Sequence, residues 1–131
     1  MPRHCLTVDL KDDPRLIAEY KKYHQRVWPE VLQSLRDSGI LDAEIYVQGN
    51  RLFMVLETVD GFSFEKKLQM DAANPKVCEW EELMWNYQRA LPGSKPGQKW
   101  HEMECVFRLN RMEHSMAPTE SLPDAEAAGD T

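Results

Sequence analysis

"AEIYVQGNRLFMVLETV", residues 43–59, holds two alternating runs on either side of Gly49 and Asn50. Ala43, Ile45 and Val47 fall on one side of the first run and Glu44, Tyr46 and Gln48 on the other, the period of two that a strand requires. In the second run Phe53, Val55 and Glu57 alternate with Leu52, Met54 and Leu56. A Gly-Asn pair between such runs predicts a hairpin with residues 49 and 50 in or near its turn. The second strand is largely apolar on both faces, so both are expected to be covered.

Upstream, Leu16, Ile17, Tyr20, His24, Val27, Trp28, Val31, Leu32 and Leu35 recur at steps of three and four, which predicts a helix with one apolar stripe. Asp12 or Asp13 can cap it, and Pro14 suits a first turn, where its missing N–H costs nothing. Pro29 interrupts the stripe and predicts a kink or a fresh helix start, with Gly39 ending the second part. Before the helix, "RHCLTVDL", residues 3–10, alternates as a strand.

Downstream, residues 62–72 suit a short helix and "NPKVCEWEELMWNYQRAL", residues 74–91, a longer one. Asn74 is its cap, Pro75 its first residue, and Val77, Trp80, Met84, Tyr87 and Leu91 its stripe. "PGSKPGQK" reads as a loop and "HEMECVFRL", residues 101–109, as the last strand. The order β-α-β-β-α-β predicts an α+β, ferredoxin-like fold, with an antiparallel sheet and helices on one face. The open apolar face then calls for a second copy. A homodimer with sheet facing sheet, a dimeric α+β barrel, is the expected assembly.

A chain of 131 residues suits one domain, placed at residues 1–110, followed by a disordered tail at 111–131 that is poor in large apolar residues and acidic at its end. Sixteen basic against twenty-two acidic residues leave a net charge of −6, which repels phosphate backbones and argues against nucleic acid. No apolar run approaches the roughly 18 residues that span a bilayer, and the start lacks the apolar stretch of a signal peptide. No membrane partner and a cytoplasmic location are therefore expected. The three cysteines show no CxxC spacing and the four histidines no HxH or HxxxH spacing, so neither a disulfide framework nor a metal site is expected. Gly-rich phosphate loops and GxSxG elbows are missing too.

Chemistry enters at "AEYKKYHQRVWPE", residues 18–30. Tyr20 and His24 are four apart, so their side chains neighbour each other on one helix face. Histidine, with an unperturbed pKa of about 6.5, can both take and give a proton near neutrality. A Tyr and a His on an apolar stripe also suit a core edge with their polar ends satisfied. Tyr46, Glu57, and Glu81 or Glu82 beside Trp80 are the other polar groups at candidate positions. The four tryptophans, Trp28, Trp80, Trp85 and Trp100, can fill a core or offer flat faces on which sugar C–H surfaces stack.

The pattern Tyr-x3-His-x3-Trp-Pro-Glu, from Tyr20 to Glu30, resembles the signature of the L-rhamnose mutarotase family, small dimeric α+β proteins that interconvert sugar anomers. Ile45-Tyr46, "NRLFMVLE", "VCEWEELM" and "MECVFRL" extend the resemblance in order across about residues 3–109. It implies His24 as general acid/base, Tyr20 in contact with the sugar, and a monosaccharide substrate. Mutarotation proceeds by proton transfer alone, so no cofactor is expected. Trp80 or Trp85 would form a stacking wall and Glu81 would bind a hydroxyl, with Tyr46 and Glu57 as further substrate-binding candidates. Two positions depart from the rhamnose-type pattern: Ala43 replaces a tyrosine, and Trp80-Glu81 stands where a tandem Trp-Trp is the rule. The expected substrate is thus a 6-deoxy-L-hexose, L-rhamnose or L-fucose. The competing expectation is a monooxygenase-like or non-catalytic protein of the same barrel architecture.

Overall fold

The structure is a computed structural model and describes residues 2–110; the expected tail at 111–131 lies outside them. β1 (Arg3–Leu10) leads into α1 (Pro14–Tyr23) and α2 (Pro29–Asp37), then β2 (Ile40–Gln48) and β3 (Arg51–Thr58). The second half repeats the plan with α3 (Phe64–Ala72), α4 (Pro75–Trp85) and two short strands, β4 (Gln88–Arg89) and β5 (His101–Glu102). The sheet runs β2-β3-β1-β4, antiparallel, and β5 also pairs with β1. This is the ferredoxin-like α+β arrangement.

Local chemistry sets the boundaries. The Asp13 carboxylate accepts from the backbone N–H of Arg15 and Leu16, and Asn74 does the same for Lys76 and Val77, so each helix start has its free donors satisfied. Gly39 ends α2 at φ +98°, a conformation that resists a side chain; a Cβ there would also lie 3.0 Å from Val59 Cγ2. At the hairpin, Gly49 takes φ +60°. Asn50 latches the end of β1, its Nδ2 donating to the Leu10 carbonyl at 3.0 Å while its own carbonyl accepts the Leu10 N–H.

One sequence expectation is met and two shift. The long apolar stripe breaks at Pro29 into a fresh helix start, because Trp28, held extended by Pro29 at φ −58° and ψ 137°, caps α2 from outside. The second long helix stops at Trp85 instead of reaching residue 91: Leu10 pairs with Gln88 and Asp9 with Arg89, so β1 captures the chain as a strand. The last strand keeps only His101–Glu102, extended by a bond from Met103 N–H to the Cys5 carbonyl. Beyond it no strand pairing continues among the described residues, and Val106, Phe107 and Leu109 are exposed.

The register sorts the sheet into two faces. His4, Leu6, Val8 and Leu10 pair with Leu56, Met54, Leu52 and Gln88 on the helix face. There Val8, Leu10 and Leu52 form the core with Tyr20, Val31, Trp80, Met84 and Tyr87, while Leu6, Ile40 and Leu56 form a second cluster joined to it through Trp100. Cys5, Thr7, Phe53, Val55 and Tyr46 point the other way, and no helix among the described residues covers them.

Candidate active site

α1 delivers Tyr20 and His24 to one place. Asp13 fixes where the helix begins, and two turns on Tyr20 enters the core while His24 caps the C-terminal end. The two rings lie with centroids 4.2 Å apart, tilted by 33°. Trp80, from α4, meets His24 edge-on at 5.6 Å and Trp28 edge-on at 5.1 Å. Residues from α1, α4 and the start of α2 thus form one aromatic cluster around the imidazole.

His24 Nδ1 is 3.0 Å from the Tyr20 carbonyl oxygen. A carbonyl only accepts, so Nδ1 carries the hydrogen and Nε2 keeps its lone pair. Nε2 has no hydrogen-bond partner among the described residues. Burial lowers the His24 pKa from its ordinary value, and the bond to Tyr20 opposes that only in part. The ring is a neutral base at pH 7 with one free nitrogen.

Tyr20 behaves oppositely. Burial drives its phenol pKa far above the ordinary value, a hydrogen bond from the Gln88 side chain pulls it down, and the Glu81 charge pushes it up. It stays protonated and serves as a neutral hydrogen-bonding group. Gln88 is itself buried, and its Oε1 has no hydrogen-bond partner among the described residues.

Glu81 follows Trp80 on α4, its side chain 46% exposed. Lys99, from the loop after β4, points its ammonium at the same turn, 2.5 Å from Glu81 Oε1, 3.1 Å from the Glu81 carbonyl, and 4.8 Å from the centre of the Trp85 ring. Burial lowers the Lys99 pKa and Glu81 raises it in return.

Of the candidates read from the sequence, Tyr20, His24, Trp80, Glu81 and Trp85 therefore share one region of the helix layer. Tyr46 and Glu57 do not. Tyr46 pairs with Phe53 on the opposite face of the sheet and donates to Glu44 Oε1 at 2.9 Å; Glu57, on that same face, lies across from Arg3. Alternation decides this, because the neighbours Ile45 and Leu56 take the helix face. Gln88 and Lys99 were not singled out from the sequence: Gln88 reads as part of a helix, and Lys99 as one more cation in a Pro/Gly loop. A cleft of about 470 Å³ lined by Glu19, Lys22, Tyr23, Arg26, Trp28 and Tyr87 opens beside the cluster. Tyr20 and His24 are not among its lining residues, but Trp28 and Tyr23 both touch Trp80.

The family described as L-rhamnose mutarotase matches residues 3–109. The chain belongs to the L-rhamnose mutarotase family. Among its relatives, the L-fucose mutarotase of Xanthomonas campestris is 44% identical over 112 residues, 84% of this chain and 90% of that protein. The L-rhamnose mutarotase of Leptothrix cholodnii is 30% identical over 75% of this chain and 89% of its own length. The crystal structure of L-rhamnose mutarotase from Formosa agariphila superposes with a TM-score of 0.62 at 22% identity, covering 82% of this chain and 98% of that one. Its likeness supports the fold. As a member of the L-rhamnose mutarotase family the chain is an isomerase, a sugar mutarotase.

Proposed function

We propose that the protein interconverts the α and β anomers of a 6-deoxy-L-hexose, with L-fucose favoured over L-rhamnose, and that His24 carries the protons. The observation that supports this reading is the state of the imidazole: Nδ1 is tied to the Tyr20 carbonyl and Nε2 is free and neutral. In the reaction Nε2 takes the proton of the anomeric hydroxyl, the C1–O5 bond breaks, and a proton is returned to O5. The open aldehyde turns about C1–C2, and the same steps in reverse reclose the ring on the other face. Atoms and charge balance with no redox step. One well-placed acid/base group contributes on the order of 10²- to 10⁴-fold.

Tyr20 supplies a protonated phenol to a sugar oxygen, Trp80 a flat apolar face, and the Glu81 carboxylate an acceptor for sugar hydroxyls. Trp85 lines the Glu81 side of the site. The preference for L-fucose rests on Glu81 and Ala43, which depart from the rhamnose-type pattern, and on the similarity to the Xanthomonas protein. A second copy of the chain covers the open sheet face, where Phe53, Val55, Tyr46 and Cys5 are grouped. Tyr46 and Glu57 then belong to that interface rather than to the sugar site.

Saturation-transfer NMR with L-fucose, L-rhamnose and D-glucose tests the reading. Exchange between anomer signals that grows with protein concentration and vanishes in His24→Ala supports it. Protein that leaves the exchange of every sugar at the buffer rate rejects it.

A further inference from the structure

We propose that Lys99 is a positioning residue of the sugar site: its buried ammonium holds the Glu81 carboxylate in the one orientation in which it accepts hydroxyls of the substrate. This deepens the function proposed above and rests on it. Lys99 is 9% exposed, a rare state for a lysine, and its ammonium has three contacts. These are the Glu81 carbonyl at 3.1 Å, Glu81 Oε1 at 2.5 Å, and the face of Trp85 at 4.8 Å. Two hydrogen bonds to Glu81 and the indole face of Trp85 surround the buried ammonium, so its role is to hold Glu81 rather than to bind sugar.

Glu81 is the reverse case. Among the described residues only its Oε1 is held, the side chain is 46% exposed, and its charge is felt at the Tyr20 phenol. A glutamate on the last turns of a helix has three free torsions and would spend most of its time in water, losing rotamer freedom on each binding event. The contact to Lys99 removes that freedom beforehand. It also binds the loop between β4 and β5 to α4, since the same ammonium holds the Glu81 main chain and side chain together. A carboxylate with one oxygen held and the other open suits neighbouring hydroxyls of a neutral sugar and repels sugar acids.

A double-mutant cycle tests this, reading KM and kcat for anomer exchange alongside the sugar Kd from tryptophan fluorescence. Lys99→Met is expected to raise KM and Kd roughly tenfold, about one step of 1.4 kcal/mol, with kcat within about twofold of the parent. Glu81→Gln raises them by a similar factor, and Lys99→Met adds nothing further in the Glu81→Gln background. Lys99→Arg, which keeps the cation, recovers most of the loss. A KM unchanged in Lys99→Met, or the same factor lost in both backgrounds, overturns the proposal. If Lys99→Met does not fold, Lys99→Gln takes its place in the cycle. Sugar that binds without anomer exchange defeats the mutarotase reading while the Kd cycle still decides the role of Lys99; sugar that does not bind at all overturns both.

Discussion

His24 and Tyr20 are joined twice: ring against ring at 4.2 Å, and Nδ1 against the Tyr20 backbone carbonyl at 3.0 Å. The second contact involves the main chain of the helix, so it survives any change to the tyrosine side chain. The tautomer of the base is thereby set by α1 itself, one turn before the helix ends, and the free Nε2 follows from it.

Because burial holds His24 below its ordinary pKa, kcat/KM should rise with pH through a midpoint below 6.5 and be flat at 7. Stability moves in the same sense. The folded state binds the proton less readily than the unfolded chain does, so the His24 contribution is full above about 6.5 and is lost as pH falls toward the lowered folded value. A pH-rate profile checks the first statement, and urea midpoints between pH 5 and 7.5 the second. An acid limb centred above 6.5 contradicts both.

His24→Ala should cost on the order of 10²-fold or more in anomer exchange, since it removes the proposed proton carrier. Tyr20→Phe should cost about tenfold, because the ring and the backbone carbonyl that fixes His24 both remain while one hydrogen bond goes. Single-sugar exchange rates from NMR compare them directly. Equal losses would move the proton-carrying role onto the phenol.

Periodicity was enough to place β1, α1, α2 and the hairpin, because a cap or breaker marks their boundaries: Asp13, Pro29, Gly39, Gly49. It failed at Gln88, where the stripe of α4 continues on paper into Tyr87 and Leu91. A tertiary partner, the end of β1, outcompetes helix continuation there. The Tyr20 and His24 pair was legible from spacing, and Trp80 from its stripe. Lys99 was not, since nothing local distinguishes a lysine that reaches 18 residues back to Glu81 from one in water. Tyr46 adjoins Ile45 in the family pattern, yet a one-residue step along a strand changes the face, so the structure sets it on the side of the sheet opposite Tyr20 and His24.

The open sheet face carries the next prediction. Phe53 and Val55 lie at the middle of β3, flanked by Cys5 and Thr7 on β1 and by Tyr46 on β2, where Tyr46 is 55% exposed. Phe53→Asp should convert a dimer into monomers in sedimentation equilibrium while leaving the helix-face core intact, because Phe53 points away from it. A wild-type chain that sediments as a monomer at all concentrations would reject the covered-face reading.

Trp28 separates packing from chemistry. Its ring meets Trp80 at 5.1 Å, takes the Lys76 ammonium at 5.5 Å, and is only partly buried where α2 begins. Trp28→Ala should therefore cost about 2–3 kcal/mol of stability, below the 3–5 of a fully enclosed ring. Trp80 would lose the neighbour on one side and keep His24 on the other, so the imidazole should hold its place. Measured well below the unfolding midpoint, anomer exchange should fall no more than about fivefold, which corresponds to about 1 kcal/mol at the transition state. A variant as stable as the parent but inactive would instead place the Trp28 ring against the sugar, in the cleft it shares with Tyr23 and Tyr87.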